Sequence, residues 1–373
     1  MKKIILIPDS FKGTMSSIEV CSVMEQTIHY HCPAAKVVCV PVADGGEGTV
    51  DAFLQAVGGK KIPVRVQGPF FEEVEAFYGW LPGDVAVIEM AAAAGLPLVG
   101  DCRQVEKATT YGVGEIMHHA LLHGCKKIVI GLGGSATNDG GCGAAAALGA
   151  VFKNHAGEEF VPTGATLQQI VSIDLSAVKK KFENVECVTM CDIDNPLCGV
   201  EGAAAVFGPQ KGADAAMVDL LDKGLAHMAA VIKQSTGREV LALAGAGAAG
   251  GMGAGTVAFF SSSLQRGIET VLDTVGFDDL LQDADMVFSG EGKIDAQSLR
   301  GKVVLGVAQR TKKAGVPLVC VVGAIGDGID GAYEQGVTAV FSINRMPMPF
   351  KEAALHSKEN LAIAMDNIIR LIK

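Results

Sequence analysis

The chain has 373 residues, of which 49% are hydrophobic and 19% are charged, and its formal net charge is −10. This length suits two domains with large cores, and the composition is typical of an ordered globular protein rather than a disordered one. The 47 glycines have no fixed period, which excludes collagen. Because binding to a nucleic-acid backbone needs clustered basic residues, the acidic balance argues against nucleic acid as a partner.

The ten cysteines lie mostly within apolar runs, and no two of them have the Cys-x-x-Cys spacing of zinc ribbons or thioredoxins. They indicate buried thiols in a reducing compartment, so we expect a cytoplasmic protein. The apolar run at residues 4–7 is too short for the core of a secretory signal. The charge-free stretch 240–260 is rich in glycine and alanine and lacks basic flanks, so we predict that it does not span a membrane.

The first sixty residues predict a β-α-β-α pattern. Residues 3–7 and 35–42 are continuous apolar runs, which are typical of strands buried on both faces of a sheet. Ser16 and Glu19 form a capping box ahead of the first helix, and a second helix is predicted at Thr49–Val57. This alternation favours a parallel sheet covered by helices.

From about residue 60 the pattern changes to short strands at 62–66, 74–80 and 85–90, with a tight turn at 82–84. Further strands are predicted at 128–130 and 185–190. Such pieces are typical of a mixed α/β domain.

The last ninety residues return to alternating strands and helices. Strands are predicted at 286–288, 318–322 and 339–343, and Ser298 is a predicted helix cap. The inner face of the closing helix is predicted to carry Leu361, Met365, Ile369 and Ile372. The sequence therefore predicts an α/β protein of two domains. A discontinuous flavodoxin-like or Rossmann-like domain takes residues 1–60 and 285–373, and a mixed α/β domain is inserted at 61–284. The cleft between two such domains is the default ligand site.

Four glycine-rich turns, three of which carry aspartate, each follow a predicted strand. They lie at residues 41–48, 131–143, 244–255 and 289–295. α/β proteins hold phosphate with a strand, a glycine-rich turn and a helix, because glycine lets backbone N–H groups approach the anion. Carboxylates beside a phosphate bind Mg²⁺. The four turns together favour a nucleotide-dependent phosphoryl-transfer enzyme that uses Mg²⁺.

The turn at 131–143 lies between a predicted strand and an alanine-rich helix that begins near Ala144. Its backbone N–H groups and hydroxyls suit a phosphate at the start of that helix. Asp139 is a candidate metal ligand. The candidate phosphate-binding residues of this turn are Gly133, Gly134, Ser135, Thr137, Asn138 and Gly140.

The turn at 244–255 contains the dinucleotide fingerprint Gly-x-Gly-x-x-Gly and follows a predicted strand at 240–243. The fingerprint requires a helix next, but three further glycines follow, and each costs a helix up to about 1 kcal/mol. We therefore predict a flexible loop that closes over the triphosphate, with Gly250, Gly251 and Gly253 as candidate contacts. An oxidoreductase that binds NAD(P) here is the alternative. No Gly-x-x-x-x-Gly-Lys-Ser/Thr sequence occurs, which excludes a P-loop enzyme.

Several acidic side chains directly follow predicted strands, where the carboxyl ends of parallel strands open onto a shared crevice. In phosphoryl transfer, one carboxylate accepts the proton of the attacking hydroxyl and others hold Mg²⁺. Helix capping and turn formation are the structural alternative for each of them. The candidates are Asp44, Asp192, Asp194, Glu291 and Asp295.

Basic side chains are needed to hold a phosphate or an anionic substrate. Lys12 follows the first predicted strand and Lys293 lies inside an acidic glycine turn, which favours these two. A lysine without such a context is usually solvated. The further candidates are Lys107, Lys211 and Arg300. His119 and His123 are four residues apart on a predicted helix, but no third ligand accompanies them, and we interpret them as structural.

Seven sequence blocks follow one another in a characteristic order, at residues 8–13, 43–49, 110–115, 131–141, 191–197, 208–212 and 289–295. In these blocks the chain resembles the type-1 glycerate kinases, bacterial ATP-dependent enzymes of the glycerate 2-kinase kind. The resemblance covers essentially the whole length. It implies a flavodoxin-like domain from both chain ends, an inserted domain with a mixed sheet, and an active site between them.

The resemblance also implies D-glycerate as acceptor and MgATP as donor. The C2 hydroxyl is the favoured site, which gives 2-phosphoglycerate and ADP in glycerate, glyoxylate and sugar-acid breakdown. Glycerate 3-kinase regiochemistry, the NAD(P) oxidoreductase and a non-catalytic protein of two domains that binds a small molecule are the alternatives. A homo-oligomer is possible.

From motif position and chemistry we expect direct in-line transfer. Asp192 or Asp295 is the predicted base, and Asp44 is a predicted partner of substrate or metal. Lys12 or Lys293 is predicted to neutralise the glycerate carboxylate or the moving phosphoryl group, with Lys293 also a candidate contact of the nucleotide. The predicted metal ligands are Asp139, Asp194 and Glu291.

Overall fold

The structure is a computed structural model of the chain, and it describes residues 2–43, 45–295 and 303–373. Three residues that the sequence analysis singled out, Asp44, Ser298 and Arg300, lie outside the described residues. The chain divides into two compact units. Unit 1 comprises Met1–Ala43, Asp51–Gly58 and Ile268–Lys373, and unit 2 comprises Asp44–Val50 and Gly59–Gly267.

The described elements alternate between strands and helices for most of the chain. The strands are β1 (Lys3–Pro8), β2 (Lys36–Cys39), β3 (Lys60–Gln67), β4 (Glu73–Leu81), β5 (Val85–Glu89), β6 (Lys127–Gly131), β7 (Val151–Lys153), β8 (Glu159–Phe160), β9 (Ser172–Asp174), β10 (Glu186–Met190), β11 (Ser263–Gln265), β12 (Met286–Gly290), β13 (Lys293–Ile294), β14 (Leu318–Val322), β15 (Ala324–Ile325) and β16 (Val337–Ser342). The helices are α1 (Ser17–His31), α2 (Thr49–Val57), α3 (Ala91–Ala94), α4 (Leu96–Val99), α5 (Tyr111–Leu122), α6 (Cys142–Ala147), α7 (Ser176–Lys181), α8 (Ala203–Phe207), α9 (Ala215–Thr236), α10 (Ala248–Phe260), α11 (Gly267–Thr274), α12 (Phe277–Leu281), α13 (Val303–Ala314), α14 (Asp330–Gln335), α15 (Phe350–Leu355) and α16 (Ser357–Ile372). Short 3₁₀ turns lie at Leu167–Gln169 and Pro209–Lys211.

Unit 1 is built on a parallel sheet with the strand order β16-β14-β12-β1-β2. Numbered within the unit, this is the order 2-1-3-4-5 of flavodoxin-like folds. All six residues of β1 are buried, as expected of an inner strand. Ile4 and Leu6 pack in one core cluster with residues of α1 and α16, while α13 packs against β12 and β14.

The predicted capping box at the start of α1 is confirmed. The Glu19 N–H donates to Ser16 Oγ at 3.2 Å, and the Ser16 N–H donates to Glu19 Oε2 at 2.9 Å. Both ends of the motif therefore satisfy a backbone donor that the first helical turn leaves unpaired.

Unit 2 is built on a six-stranded mixed sheet with the order β11-β10-β6-β5-β4-β3. The strands β11, β10, β6 and β5 are mutually parallel, whereas β5-β4-β3 is an antiparallel meander joined by short turns. The parallel sheet of unit 1 and the mixed sheet of unit 2 confirm the predicted fold class.

The segment 240–260 differs from its prediction in two respects. Residues 240–243 form a turn rather than a strand, and the glycine-rich run is the helix α10 rather than a flexible loop. The backbone enters this helix through left-handed residues at Ala249, Gly250 and Gly251. All of α10 except Val257 is buried, so packing offsets the helix-breaking tendency of its glycines. No helix in the described ranges is long and apolar enough to cross a membrane.

Candidate functional site

The carboxyl ends of four parallel strands of unit 2 lie along one edge of its sheet. In the strand register Gly131 pairs with Glu89 on one side and with Met190 on the other, and Met190 pairs with Gln265. The edge is therefore lined by Glu89, the loop 131–143 and the segment that follows β10. Ligands of α/β proteins bind at this edge of a parallel sheet.

Three of the four glycine-rich turns pack against one another at this edge, backbone to backbone. The Gly133 N–H donates to the Gly45 carbonyl at 2.9 Å, and the Gly140 N–H donates to the Gly250 carbonyl at 3.0 Å. A Cβ at Gly131 would lie 2.3 Å from the Gly45 oxygen. These glycines are required because the chains approach too closely for any side chain.

The other candidate glycines are also explained by packing. A Cβ at Gly250 would lie 2.0 Å from the Thr137 oxygen, and one at Gly253 would lie 2.2 Å from the Gly245 oxygen. A Cβ at Gly251 would lie 2.7 Å from Leu225 Cδ2, and one at Gly134 would lie 3.2 Å from Ala91 Cβ. The predicted contact of α10 with a triphosphate therefore has no support in this geometry.

Asp139 fixes the shape of the loop 131–143. Its side chain is fully buried, and its carboxylate accepts hydrogen bonds from Thr110 N at 2.8 Å, Thr110 Oγ1 at 2.9 Å, Gly141 N at 3.1 Å and Gly143 N at 3.2 Å. Burial raises the pKa of this carboxyl, and the hydrogen bonds oppose that rise. The geometry favours this loop-fixing role over the predicted metal role.

The helix after the loop, α6, has only six residues. Its summed dipole is correspondingly small, so the expected phosphate contact cannot rest on that helix N-terminus. The polar side chains of the loop have to supply the donors instead.

One of those side chains, Ser135, contacts a buried lysine. Lys211 is 3% exposed, and its Nζ donates to Ser135 Oγ and to the Thr137 carbonyl, both at 2.7 Å. Burial lowers the pKa of Lys211 to about 7, against the attraction of the Asp139 carboxylate. Thr137 Oγ1 and both amide atoms of Asn138 are buried without a hydrogen-bond partner in the described parts of the chain.

Asp192 and Asp194 lie in the exposed segment that follows β10. Asp192 Oδ1 accepts a hydrogen bond from Gly267 N at 2.8 Å, at the start of α11. A Cβ at Gly267 would lie 2.8 Å from Asp192 Oδ2, so a side chain at this position would displace the Asp192 carboxylate. The Asp192 carboxylate is thus both oriented by the backbone and accessible to solvent.

Glu89 is a site residue that the sequence reasoning missed. It ends β5 with a side chain that is 3% exposed, and its Oε1 accepts a hydrogen bond from Val50 N in the first turn of α2, at 2.7 Å. The sequence did carry a signal for it, because this glutamate ends an otherwise apolar predicted strand. A carboxylate buried at such a position needs hydrogen-bond partners, which marks it as a candidate site residue.

The fourth glycine-rich turn belongs to unit 1. It follows β12, which lies next to β1 in the sheet. These are the third and first strands of the unit in chain order, and flavodoxin-like sheets bind ligands at the carboxyl ends of this pair of strands. Lys12, which follows β1, is exposed, and Lys293 Nζ lies 3.1 Å from Asp295 Oδ2. The Glu291 side chain is 6% exposed, and its backbone carbonyl accepts a hydrogen bond from Gly323 N at 3.1 Å.

The predicted metal ligands are divided between the two units. Asp139 and Asp194 belong to unit 2 and Glu291 to unit 1. Outside the undescribed positions, no three His, Cys, Asp or Glu side chains are placed to hold a metal ion. The rings of His119 and His123 pack against each other with their planes tilted by 30° and their centroids 4.2 Å apart, and His119 Nδ1 lies 3.2 Å from Tyr78 Oη, which gives the pair a structural role.

Known proteins match this chain over nearly its whole length. The sequence profile of the glycerate kinase family matches residues 4–373. A glycerate kinase of Bacillus cereus is 44% identical over 373 residues, which cover 100% of this chain and 98% of that protein. A glycerate 2-kinase of Escherichia coli K12 is 42% identical over 369 residues, which cover 98% and 97%.

A crystal structure of a Salmonella typhimurium LT2 protein assigned as glycerate kinase 2 superposes with a TM-score of 0.88 at 41% identity, and covers 100% of this chain and 98% of that one. The sequence match and the structural match extend over both units. The chain therefore belongs to the glycerate kinase family, a family of phosphotransferases.

Proposed function

We propose that the protein phosphorylates D-glycerate at the C2 hydroxyl with ATP as donor, giving 2-phosphoglycerate and ADP. The family match over residues 4–373 carries this proposal. The choice of C2 is supported by the relative named glycerate 2-kinase, which is 42% identical over nearly the full length of both chains. The ten cysteines are all free, which suits a reducing cytoplasm, where glycerate from sugar-acid or glyoxylate breakdown would be consumed.

In the proposed reaction the C2 oxygen attacks the γ-phosphorus in line, and the bond from that phosphorus to the β–γ bridging oxygen breaks. ADP leaves with the electron pair, and a carboxylate accepts the proton of the hydroxyl. Catalysis then depends on positioning and on charge stabilisation rather than on a covalent enzyme intermediate.

We assign the proton acceptor to Asp192. A general base has to reach the hydroxyl, and this carboxylate is exposed while Gly267 N orients one of its oxygens. Asp295, the other predicted base, is 22% exposed and already shares its charge with Lys293 at 3.1 Å. We assign Lys12 and Lys293 to charge neutralisation beside the transferred group. Asp44 stays a predicted partner of substrate or metal.

Mg²⁺ is proposed to arrive with the nucleotide. Such an ion keeps several waters and needs only one or two protein carboxylates besides the phosphates, so a group of three ligands is not required. Asp194 and Glu291 stay the proposed carboxylates. Bound Mg²⁺ would neutralise charge on the phosphate oxygens.

The test is ADP release by the full-length chain with MgATP and D-glycerate, with the product identified by ³¹P and ¹³C NMR. We expect turnover that depends on D-glycerate and yields 2-phosphoglycerate. Formation of 3-phosphoglycerate would overturn the regiochemistry, and no glycerate-dependent ADP would overturn the function. Titration with NAD(P) covers the oxidoreductase alternative, for which no binding is expected because the Gly245 turn lacks its preceding strand.

A further inference from the structure

The buried amine of Lys211 has a hydrogen-bond environment that matches its neutral form. A neutral amine has two N–H donors, and Ser135 Oγ and the Thr137 carbonyl accept one each at 2.7 Å. An ammonium group has a third N–H, for which the described chain provides no acceptor. Protonation of Lys211 therefore requires an acceptor other than the residues that the structure describes.

The charged groups near Lys211 do not supply that acceptor. Asp139 attracts the lysine electrostatically, but its oxygens already accept hydrogen bonds from Thr110, Gly141 and Gly143. Arg103 is exposed and reaches the same 3₁₀ turn by donating to the Gln210 carbonyl at 2.8 Å. Neither group therefore offers Lys211 a third acceptor.

Two neighbouring side chains are also incompletely bonded. Thr137 is 0% and Asn138 is 1% exposed, yet the Thr137 hydroxyl and both Asn138 amide atoms lack partners in the described residues. Leaving a buried polar group unpaired costs about 1–3 kcal/mol. Thr137 carries the carbonyl that Lys211 contacts, and Asn138 is the next residue. The Thr137 hydroxyl and the Asn138 amide nitrogen can both donate to an incoming group with several acceptor oxygens, whereas Asn138 Oδ1 can only accept.

We propose that Lys211, Thr137 and Asn138 form a subsite for an oxyanion, a phosphate or a carboxylate group, and that Lys211 takes up a proton when the anion binds. The donor atoms are covered in the structure, so binding includes a rearrangement of these side chains that uncovers them. The identity of the natural anion, a nucleotide phosphate or the glycerate carboxylate, rests on the proposed function.

The first experiment is isothermal titration calorimetry of the full-length protein in two buffers of different ionisation enthalpy. MgADP tests a phosphate source without a carboxylate, and D-glycerate tests a carboxylate source without a phosphate. With a pKa of about 7 for the free lysine, we expect uptake of about 0.9 proton per ligand at pH 8 and about 0.1 at pH 6, for one of the two ligands. Binding of both ligands without proton uptake at pH 8 would overturn the subsite.

Two variants separate a ligand role from a structural one. Lys211→Met is expected to abolish proton uptake, whereas Lys180→Met, an exposed lysine of the same unit, is expected to keep it. Thr137→Val removes an unpaired hydroxyl at nearly constant volume, so the melting temperature should be unchanged or raised while affinity for the same ligand falls about tenfold. Unchanged affinity in a folded Thr137→Val protein would refute the assignment, even if Lys211→Met fails to fold.

The subsite and the proposed function fail in different ways. Turnover of D-glycerate without proton uptake on binding either ligand would keep the kinase and remove the subsite. Proton uptake with MgADP or D-glycerate, but without glycerate-dependent ADP release, would keep the subsite and remove the kinase reaction.

Discussion

Substituting Gly255 by alanine tests whether the glycines of α10 serve packing. Helix propensity alone predicts that this change stabilises the protein by up to about 1 kcal/mol, because alanine is the better helix former. The structure predicts the opposite sign. A Cβ at Gly255 would lie 2.2 Å from the Gly140 oxygen and 3.1 Å from Gly141 Cα, and both are backbone atoms.

The cost follows from how far the backbone has to move. Relieving the 2.2 Å contact requires the helix and the loop 131–143 to separate by about 1 Å, and overpacking of this kind costs about 1–3 kcal/mol. Because the contacted atoms are backbone and cannot swing away, we take the upper part of that range, about 2–3 kcal/mol. After subtraction of a propensity gain of about 1 kcal/mol, we expect Gly255→Ala to lower the free energy of unfolding by about 1–2 kcal/mol. For a unit of this size that lowers the melting temperature by about 2–8 °C.

Differential scanning calorimetry of Gly255→Ala, beside Gly224→Ala as the matched control, checks this magnitude. Gly224 lies within the helix α9, where a Cβ would come no closer than 3.1 Å to Leu167 Cβ, a side-chain atom. We expect the control to stay near the wild-type melting temperature. A Gly255→Ala protein that melts at or above the wild-type temperature would refute the packing argument.

The remaining predictions concern the charge of Lys211, the proposed general base Asp192 and the capping box of α1. Because the pKa of Lys211 is lowered to about 7, the unfolded chain binds more protons than the folded chain between pH 7 and about 10. In urea titrations over that range, the free energy of unfolding of the wild type should therefore rise relative to that of Lys211→Met, by up to about 1.4 kcal/mol per pH unit. Parallel pH profiles of the two proteins would contradict this. Asp192→Asn should lower kcat at least about 100-fold with little change in the KM for D-glycerate, whereas the control Asp219→Asn, on the exposed face of α9, should match wild type. Near-normal turnover of Asp192→Asn would show that another residue is the general base. Ser16→Ala should cost about 1 kcal/mol in the free energy of unfolding, and an unchanged urea midpoint would show that the capping box is dispensable.

Local sequence patterns were sufficient for most of the fold. The strand Leu318–Val322 and the helix Thr49–Val57 have the predicted bounds. The strand is a continuous apolar run and the helix has an amphipathic periodicity, and both patterns depend only on residues that are close in sequence. Strand order is set by contacts between distant segments. The register that places Glu89 and Met190 on either side of Gly131 could not be read from any local window.

Glycine was the residue type for which sequence reasoning went furthest wrong. At Gly250 and Gly253 the run of glycines predicted mobility, because glycine lowers helix propensity. The same lack of a side chain permits contact with the Thr137 and Gly245 carbonyls, and that packing outweighs the propensity. Lys211 illustrates the same limit, since a lone lysine predicts a solvated side chain until its partner Ser135, distant in sequence, is known.

The loop 131–143 of unit 2 combines a backbone held by hydrogen bonds with a neighbouring lysine whose charge can change. The Asp139 carboxylate and the close contacts with Gly45 and Gly250 fix its backbone. A fixed backbone suits an enzyme that works by charge stabilisation, since donors that are already in position need no reorganisation during the reaction. What can still change within this frame is the protonation of Lys211 and the orientation of Thr137 and Asn138. In the proposed subsite, anion binding would therefore change the protonation of Lys211 and the orientation of these two side chains, and leave the loop backbone in place.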